Sequence, residues 1–443
     1  MKYTGEKKVD SVISIKNIAT ESSVGEQFDF HGAVHKIRDM GDFAFVIVRL
    51  IDGVIQCVWT KDESEFDVKD LCEEACVNFT GIVHAEERAP HGYEVDLKNA
   101  KVLSSPAAPL PIIINKGKLK SNLDTLLNYR PASLRASEMR AKFKIQDGIV
   151  KGFREYLSSQ GFTEIHTPKL VAASAEGGAN VFKMEYFGRK AFLNQSPQFY
   201  KQTMVPVYER VFEIGPVFRA EKHSTIRHLN EYTSLDFEIG YIDSFEDIME
   251  IETEFLKYTF TLLKENYTDE IKLLKINIPE IDRIPCVKFN DAKEMVSKEY
   301  NRRIKDPNDL EPEEEQLICK LFKDKFNSDF VFVTHYPSKK RPFYAMDDPE
   351  NPNLTLSFDL LFNGIEITTG GQRIHDYDMQ VEKMISKNLN PEDFESYLML
   401  HKFGVPPHGG LGIGLERFLM CLCRDDNVRK SSLFPRDLNR IEP

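Results

Sequence analysis

The chain has 443 residues, 41% apolar and 29% charged, a composition that suits a globular protein of two or three domains. Its 58 basic and 70 acidic residues give a formal net charge of −12, which argues against a protein that coats nucleic acid non-specifically. No run approaches the ~18 consecutive apolar residues of a membrane span, and the first twenty residues carry acids and lack a signal-peptide apolar core. The seven cysteines include no CxxC pair, which argues against a disulfide framework and against structural zinc. A cytosolic protein is expected.

The first hundred residues read as β. FAFVIVRLI (43–51) and VIQCVW (54–59) flank Asp52-Gly53, a tight-hairpin signal. Strand-like runs precede it (27–37) and follow it (76–87 and 93–103), and five short strands in this span suit a small closed barrel such as the OB-fold. Next come SSPAAPLP and NKGKLKSN, proline-rich and then basic, read as a connector. Charge is uneven here: residues 1–100 hold 11 Lys/Arg against 19 Asp/Glu, whereas 101–144 hold 9 against 2. The basic segment suits either a linker touching a polyanion or a solvated connector.

From 136 the period becomes helical, with Met139, Phe143, Val150, Phe153 and Leu157 on one stripe and Gly161 as the C-terminal cap. A second helix is expected over about 245–265, with Ile248, Ile251, Phe255 and Leu262 on one face. Strand-like runs occur between and after these helices in mixed order, so an α+β domain with a mainly antiparallel sheet is expected. The acidic stretch DPNDLEPEEEQ (306–316) reads as a solvated loop or helix start.

Two blocks carry chemistry. VFEIGPVFRAEKHSTIRHLNEYTSLDFEIGY (211–241) has two strand-like halves joined by a polar loop with Arg219, Glu221, His223, Arg227 and His228. Guanidinium groups at a hairpin mouth suit phosphate and carboxylate, which they bind through paired hydrogen bonds, although a surface salt-bridge loop would look the same. PPHGGLGIGLERFLM (406–420) reads as a glycine-rich turn entering a helix, with Arg417 in the first turn. It matches neither a Walker loop nor GxGxxG.

The blocks resemble the motifs of class II aminoacyl-tRNA synthetases. F-R-A-E (218–221) with R-H-L-N-E (227–231) resembles motif 2, and G-I-G-L-E-R (412–417) resembles motif 3. GFTEIHTPKLV (161–171), with Pro168, resembles motif 1. A preceding OB-like domain is what subclass IIb has. The resemblance therefore implies an OB-fold anticodon-binding barrel over 1–105, a basic hinge over 106–135, and a class II catalytic domain over 136–443, its antiparallel sheet flanked by helices. Motif 1 implies a homodimer.

Within the subclass, ASAEGGANVF (173–182), QSPQFYKQ (195–202), GIEITTGGQRIHDYD (364–378) and KSSLFPRD (430–437) look most like the aspartyl enzymes of archaeal and eukaryotic cytosolic type. That resemblance implies ATP-dependent attachment of L-aspartate to tRNA(Asp) through aspartyl-adenylate. It places Lys201 and Arg373 on the aspartate side chain. Gln198 and Glu176 line the substrate, with Glu176 on its α-amino group. Arg219 bridges the α-phosphate and the amino-acid carboxylate. Ala220, Glu221, Arg227, His228 and Leu229 hold ATP, and Gly414, Leu415, Glu416 and Arg417 reach its γ-phosphate side. Glu366 and Thr369 match the magnesium pair, Thr369 standing where serine is usual and also bordering the aspartate, with Asp359 a further acid nearby. Chemistry agrees in one respect: a carboxylate side chain needs cations, whereas a lysine pocket would need acids. Asparagine between two buried cations would leave charge unpaired. The attacking α-carboxylate is already an anion, so positioning and charge stabilisation suffice and no nucleophilic triad is required.

For the anticodon the resemblance implies Phe45 for stacking and Gln56 and Glu94 for base edges. Phe45 as a barrel-core aromatic is the competing reading. His35 and Pro90, where other members carry tryptophan and lysine, imply a discriminating enzyme that charges tRNA(Asp) only. Two other functions stay open: an asparaginyl enzyme or asparagine-forming paralogue, and an inactive RNA-binding protein of synthetase descent.

Overall fold

The computed structural model describes residues 14–172, 180–222 and 225–442. It divides into two compact units, 1–137 and 138–443.

The first unit is a closed barrel of five strands, β1 (Gln27–Asp39), β2 (Phe43–Arg49), β3 (Val54–Thr60), β4 (Cys76–Ala85) and β5 (Tyr93–Ser104), in the order β1-β2-β3-β5-β4. Alternation builds it: Ala44, Val46 and Val48 of β2 and Ile55, Cys57 and Trp59 of β3 point into one core. The Asp52-Gly53 signal marks the right place but a wider turn. The loop is Leu50–Gly53, closed by the Leu50 N–H donating to the Gly53 carbonyl at 2.8 Å. Asp52 is used elsewhere, its Oδ1 accepting from the Ile15 N–H at 2.9 Å. The expected hinge carries two short helices, Leu123–Asn128 and Arg130–Ser133, and counts with the barrel in the first unit.

The second unit is built on helices α1 (Ser137–Ser159), α2 (Gln198–Tyr208), α3 (Glu246–Asn266), α4 (Pro312–Phe326) and α5 (Leu415–Cys423). Its strands, in chain order, are β6 (Thr163–Glu164), β7 (Arg210–Phe218), β8 (Glu231–Gly240), β9 (Cys286–Lys288), β10 (Phe330–Thr334), β11 (Ser357–Phe362), β12 (Ile365–Gln372) and β13 (His408–Gly414). They form one eight-stranded sheet in the order β9-β10-β11-β12-β13-β8-β7-β6. Its interior pairings are antiparallel, and only the edge strands β9 and β6 pair in parallel.

The helical stripe on α1 buries Ile145, Ile149, Phe153 and Leu157 in the same core as Ile248, Phe255 and Leu262 of α3, while the expected Phe143, Val150 and Ile251 are only half-buried. The two helices meet closely at Gly152, where a Cβ would stand 2.5 Å from the Thr259 hydroxyl. Gly161, at φ +80°, ends α1 as its spacing predicts. Alternation divides the sheet faces. Leu235, Phe237 and Ile239 of β8 and Leu411 and Ile413 of β13 pack into the helical core. Asp236 of β8 and Gly412 and Gly414 of β13 line the opposite side, where a cavity opens.

The glycine-rich block is therefore a central strand and not the expected turn. Glycine is required there by close approach: a Cβ on Gly410 would sit 2.1 Å from the Phe237 carbonyl oxygen and 2.2 Å from a Glu238 carboxylate oxygen.

Candidate active site

Motif 2 forms as expected, β7 and β8 pairing antiparallel from Arg210↔Ile239 to Phe218↔Glu231. The polar loop between them hangs over a cavity of about 530 Å³. That cavity brings together most of the expected site. Gln198 and Lys201 come from α2, and Arg219, Glu221, Arg227, His228 and Leu229 from the motif 2 loop. Glu366 and Thr369 come from β12, Arg373 from just after it, and Gly414, Glu416 and Arg417 from the β13–α5 junction. Three expected residues do not line it. Leu415 is buried in the hydrophobic core, where its aliphatic side chain belongs. Ala220 offers only backbone, its N–H donating to the Asn180 carbonyl at 3.0 Å. Asp359 sits on β11, its Oδ1 2.9 Å from the Arg341 guanidinium. Glu176 and His223 lie outside the described residues.

One end of the cavity is a buried four-charge cluster of Lys201, Arg373, Asp236 and Glu238. The Lys201 Nζ, 1% exposed, donates to Asp236 Oδ1 at 2.9 Å and to the Leu411 carbonyl at 2.8 Å, with the Phe237 carbonyl at 3.4 Å. Arg373 Nε donates to Glu238 Oε1 at 2.9 Å and Nη2 to the Gly410 carbonyl at 2.9 Å, while its guanidinium stands over the Tyr344 ring. Glu238 also lies 3.3 Å from Lys201. Burial pushes the Glu238 pKa up, but Arg373 and Lys201 outweigh it and hold the group below the ordinary range. The two cations thus arrive already matched by two acids that sequence reading did not assign. This corrects the argument that an amide would face unbalanced charge: Lys201 and Arg373 balance against Asp236 and Glu238 before any substrate enters. Asp236 Oδ2 is buried without a hydrogen-bond partner among the described residues, so a donor is wanted there.

At the other end, Arg417 Nε donates to the Arg227 carbonyl at 3.1 Å and Nη1 to the Glu366 carbonyl at 3.2 Å. The Arg219 guanidinium stands 5.8 Å from the Tyr232 ring centre. Glu416, also on the cavity wall, accepts the Thr233 N–H at 3.1 Å on each carboxylate oxygen. Burial pushes its pKa up to about 7. Burial disfavours the charge on Glu366 as well, but Arg417, Arg341, Arg227 and Arg219 together keep it below the ordinary carboxylate value. Its Oε1 accepts from the Thr369 hydroxyl at 3.2 Å.

Two family models match the chain: tRNA synthetases class II (D, K and N) over residues 122–438 and an OB-fold nucleic acid binding domain over 29–103. The chain is a class II tRNA synthetase of the D, K and N family. It is 43% identical to the aspartate–tRNA(Asp/Asn) ligase of Deinococcus radiodurans, across 95% of this chain and 96% of that one. It is 37% identical to the aspartate–tRNA(Asp) ligase of Pyrococcus abyssi, across 96% and 98%. Among solved structures, the asparaginyl-tRNA synthetase of Pyrococcus horikoshii complexed with asparaginyl-adenylate matches at TM-score 0.89 and 30% identity, covering 96% of this chain and 98% of that chain.

On the barrel of this synthetase, Phe45 is only half-buried, alternates with the core residues Ala44 and Val46, and meets Phe43 edge-on at 5.6 Å. It belongs to the outer face and not to the core. Gln56 hydrogen-bonds Glu94, whose pKa burial pushes up. His35 is placed differently. It lies at a β-bulge in β1, nearly buried, with its ring 3.3 Å from the Arg49 guanidinium that holds Glu74, and its carbonyl accepting from the Asn115 side chain at 3.0 Å. Pro90 is exposed in the loop closed by the Glu86 N–H on the Gly92 carbonyl.

Proposed function

We propose that this synthetase activates L-aspartate with ATP and transfers it to tRNA(Asp). The observation that carries the substrate choice is the pairing of Lys201 and Arg373 in the same cavity as Arg219 and Glu366. Arg373 Nη1 has no hydrogen-bond partner among the described residues and is the donor we assign to the aspartate side-chain carboxylate; Lys201 joins by exchanging its long contact to the Phe237 carbonyl. The α-ammonium group suits the unpartnered Asp236 Oδ2. Arg219 is the bridge between the α-carboxylate and the α-phosphate. The carboxylate then attacks the α-phosphorus in line, the bond to pyrophosphate breaks, and the adenylate carbonyl is later attacked by the tRNA terminal hydroxyl as AMP leaves. Most of the rate comes from holding these groups in place and from arginine charge.

The Glu366 carboxylate and Thr369 hydroxyl are a sparse, hard-oxygen pair on the cavity wall. They fit Mg²⁺, which takes one or two protein carboxylates alongside phosphate and water oxygens. Bound there, the ion neutralises phosphate charge. Asp359 is committed to Arg341 and is not needed for this pair. We also infer a homodimer and a cytoplasmic location; among the described residues no helix is long and apolar enough to cross a membrane.

The breadth of tRNA choice reads differently from the sequence expectation. Three relatives at 43% identity, from Deinococcus radiodurans, Thermus thermophilus and Aeropyrum pernix, are named for tRNA(Asp/Asn), and three Pyrococcus relatives at 37% are named for tRNA(Asp). These names favour a synthetase that charges both tRNAs. Pyrophosphate exchange with aspartate, asparagine and lysine tests the amino acid, and charging of purified tRNA(Asp) and tRNA(Asn) tests the partner. Exchange supported by asparagine and not by aspartate would transfer the assignment to the asparaginyl enzymes.

A further inference from the structure

The acidic run 306–316 is not uniformly solvated. Helix α4 starts within it, and Glu311 and Glu314 form its capping box. The next residue, Glu315, is 4% exposed and turned into the molecule. Its Oε1 accepts from Arg227 Nη2 at 2.6 Å, and its Oε2 accepts the Glu366 N–H at 3.2 Å.

These bonds complete a ring. Arg227 is held through its side chain by Glu315 and through its carbonyl by Arg417 Nε, and Glu366 is held through its N–H by Glu315 and through its carbonyl by Arg417 Nη1. The four residues come from the motif 2 loop, α4, β12 and α5. Three of them line the cavity and have roles in the reading above; Glu315 has none. Arg227 is the member that most needs a partner, because it stands on a loop, and a long side chain there loses rotamer freedom when it meets a phosphate. An acid from a rigid, capped helix removes that freedom in advance.

We propose that Glu315 is a positioning residue for adenylate formation, fixing the Arg227 guanidinium where it meets the phosphates of ATP and tying that arginine to the β12 backbone at Glu366. The proposal rests on the reading of Arg227 as a nucleotide-binding residue. It predicts a defect in ATP use, separate from aspartate use, that travels through Arg227.

The test is steady-state pyrophosphate exchange on the full chain with Glu315→Gln, Arg227→Ala and the double variant. Glu315→Gln keeps the shape and removes the charge. Loss of a charge-assisted hydrogen bond of this kind raises the KM for ATP about tenfold, with the KM for aspartate within about twofold and kcat changed less than the KM for ATP. In the Arg227→Ala background, adding Glu315→Gln changes the KM for ATP no further, because its effect is already spent. An unchanged KM for ATP in Glu315→Gln overturns the proposal, and so does an equal factor in both backgrounds, which would mark a purely structural acid. If Arg227→Ala alone leaves the KM for ATP at the wild-type value, the nucleotide reading of Arg227 falls and takes the proposal with it. Should Glu315→Gln fail to melt cooperatively, Glu315→Asp, which keeps the charge but draws it back, serves in the same cycle with a smaller rise.

Discussion

Replacing Arg373 by leucine removes one cation from a cluster whose charges are balanced, and the consequence reaches beyond the substrate. Glu238 is fully buried and loses its 2.9 Å bond to Arg373 Nε, keeping Lys201 at 3.3 Å and the Gln198 side chain at 3.4 Å. Breaking a buried ion pair from one side costs about 3–5 kcal/mol, and the surviving Lys201 puts this case near 3 kcal/mol. In a unit spanning residues 138–443 that lowers the melting temperature by roughly 5–10 °C. The double variant Arg373→Leu, Glu238→Leu leaves no stranded carboxylate and should recover most of the lost stability, because a buried pair replaced by apolar side chains is often neutral. Aspartate-dependent pyrophosphate exchange should be depressed on the order of 10²–10³-fold in both, since each leaves the substrate carboxylate with Lys201 alone. Thermal melts and exchange rates of the two proteins separate stability from catalysis. Wild-type melting of Arg373→Leu, or a double variant no more stable than the single one, would refute the charge-balance reasoning. Near-normal exchange would refute the aspartate assignment.

Other expectations follow from the same geometry. Glu252 of α3 is fully buried, accepts the Thr368 hydroxyl at 2.5 Å, and has its pKa pushed to about 8 by burial, with Asp359 adding to the rise. The folded state therefore keeps a proton that the unfolded chain releases above about 4.5, and stability falls by up to ~1.4 kcal/mol per pH unit from there to about 8. Glu252→Gln should accordingly stabilise at pH 8 and do little below pH 4.5 in denaturant titrations; equal effects at both pH values would count against a buried neutral acid. Glu366→Gln should impair activation strongly and weaken its magnesium dependence, and full activity across a magnesium titration would remove Glu366 as a ligand. Light scattering at micromolar concentration should give a dimer. Leu170, Met184 and Tyr186 stand exposed on a small sheet formed by Leu170–Val171, Lys183–Tyr186 and Arg189–Leu193, with Phe182 and Phe187 exposed at either end of Lys183–Tyr186, an apolar surface of the kind a partner covers; a monomer would refute this.

What could be read from the sequence depended on whether a pattern was local. The α1 stripe and its Gly161 cap, the α3 helix and the two halves of motif 2 follow from period and capping, which short segments carry by themselves. The arginines of the cavity were legible only through the three motifs taken together, since a polar loop with Arg219 and Arg227 by itself would equally suit a surface salt-bridge loop. The acids were not. Leu235-Asp236-Phe237-Glu238-Ile239 alternates as a half-buried strand does, and alternation alone sends the acids to water. They point inward because β8 lies inside an eight-stranded sheet with helices on one face and a cavity on the other, a fact held by residues far away in the chain. Glu313-Glu314-Glu315 misleads in the same way. Three adjacent acids look solvated, yet helical geometry turns each about 100° from the last, so the first meets Arg302 at the surface, the second caps α4 and pairs with Lys293, and the third reaches Arg227.

The glycine run misled for a related reason, and its correction joins the two ends of the site. Glycine after glycine suggests a turn over phosphate, but in β13 the missing side chains make room for carboxylates and cations to lie against backbone. The Leu411 carbonyl accepts a hydrogen bond from Lys201 and the Gly410 carbonyl one from Arg373, while the same strand runs on through Gly414 into α5, which carries Arg417. One strand thus sets Lys201 and Arg373 at one end of the cavity and Arg417 at the other. A residue larger than glycine at 410 would strike Glu238 and the Phe237 backbone, and since backbone cannot yield, it would displace β8 or β13. Gly410→Ala should therefore lower aspartate and ATP use together. A Gly410→Ala variant with both KM values unchanged would show that the strand does not couple the two ends.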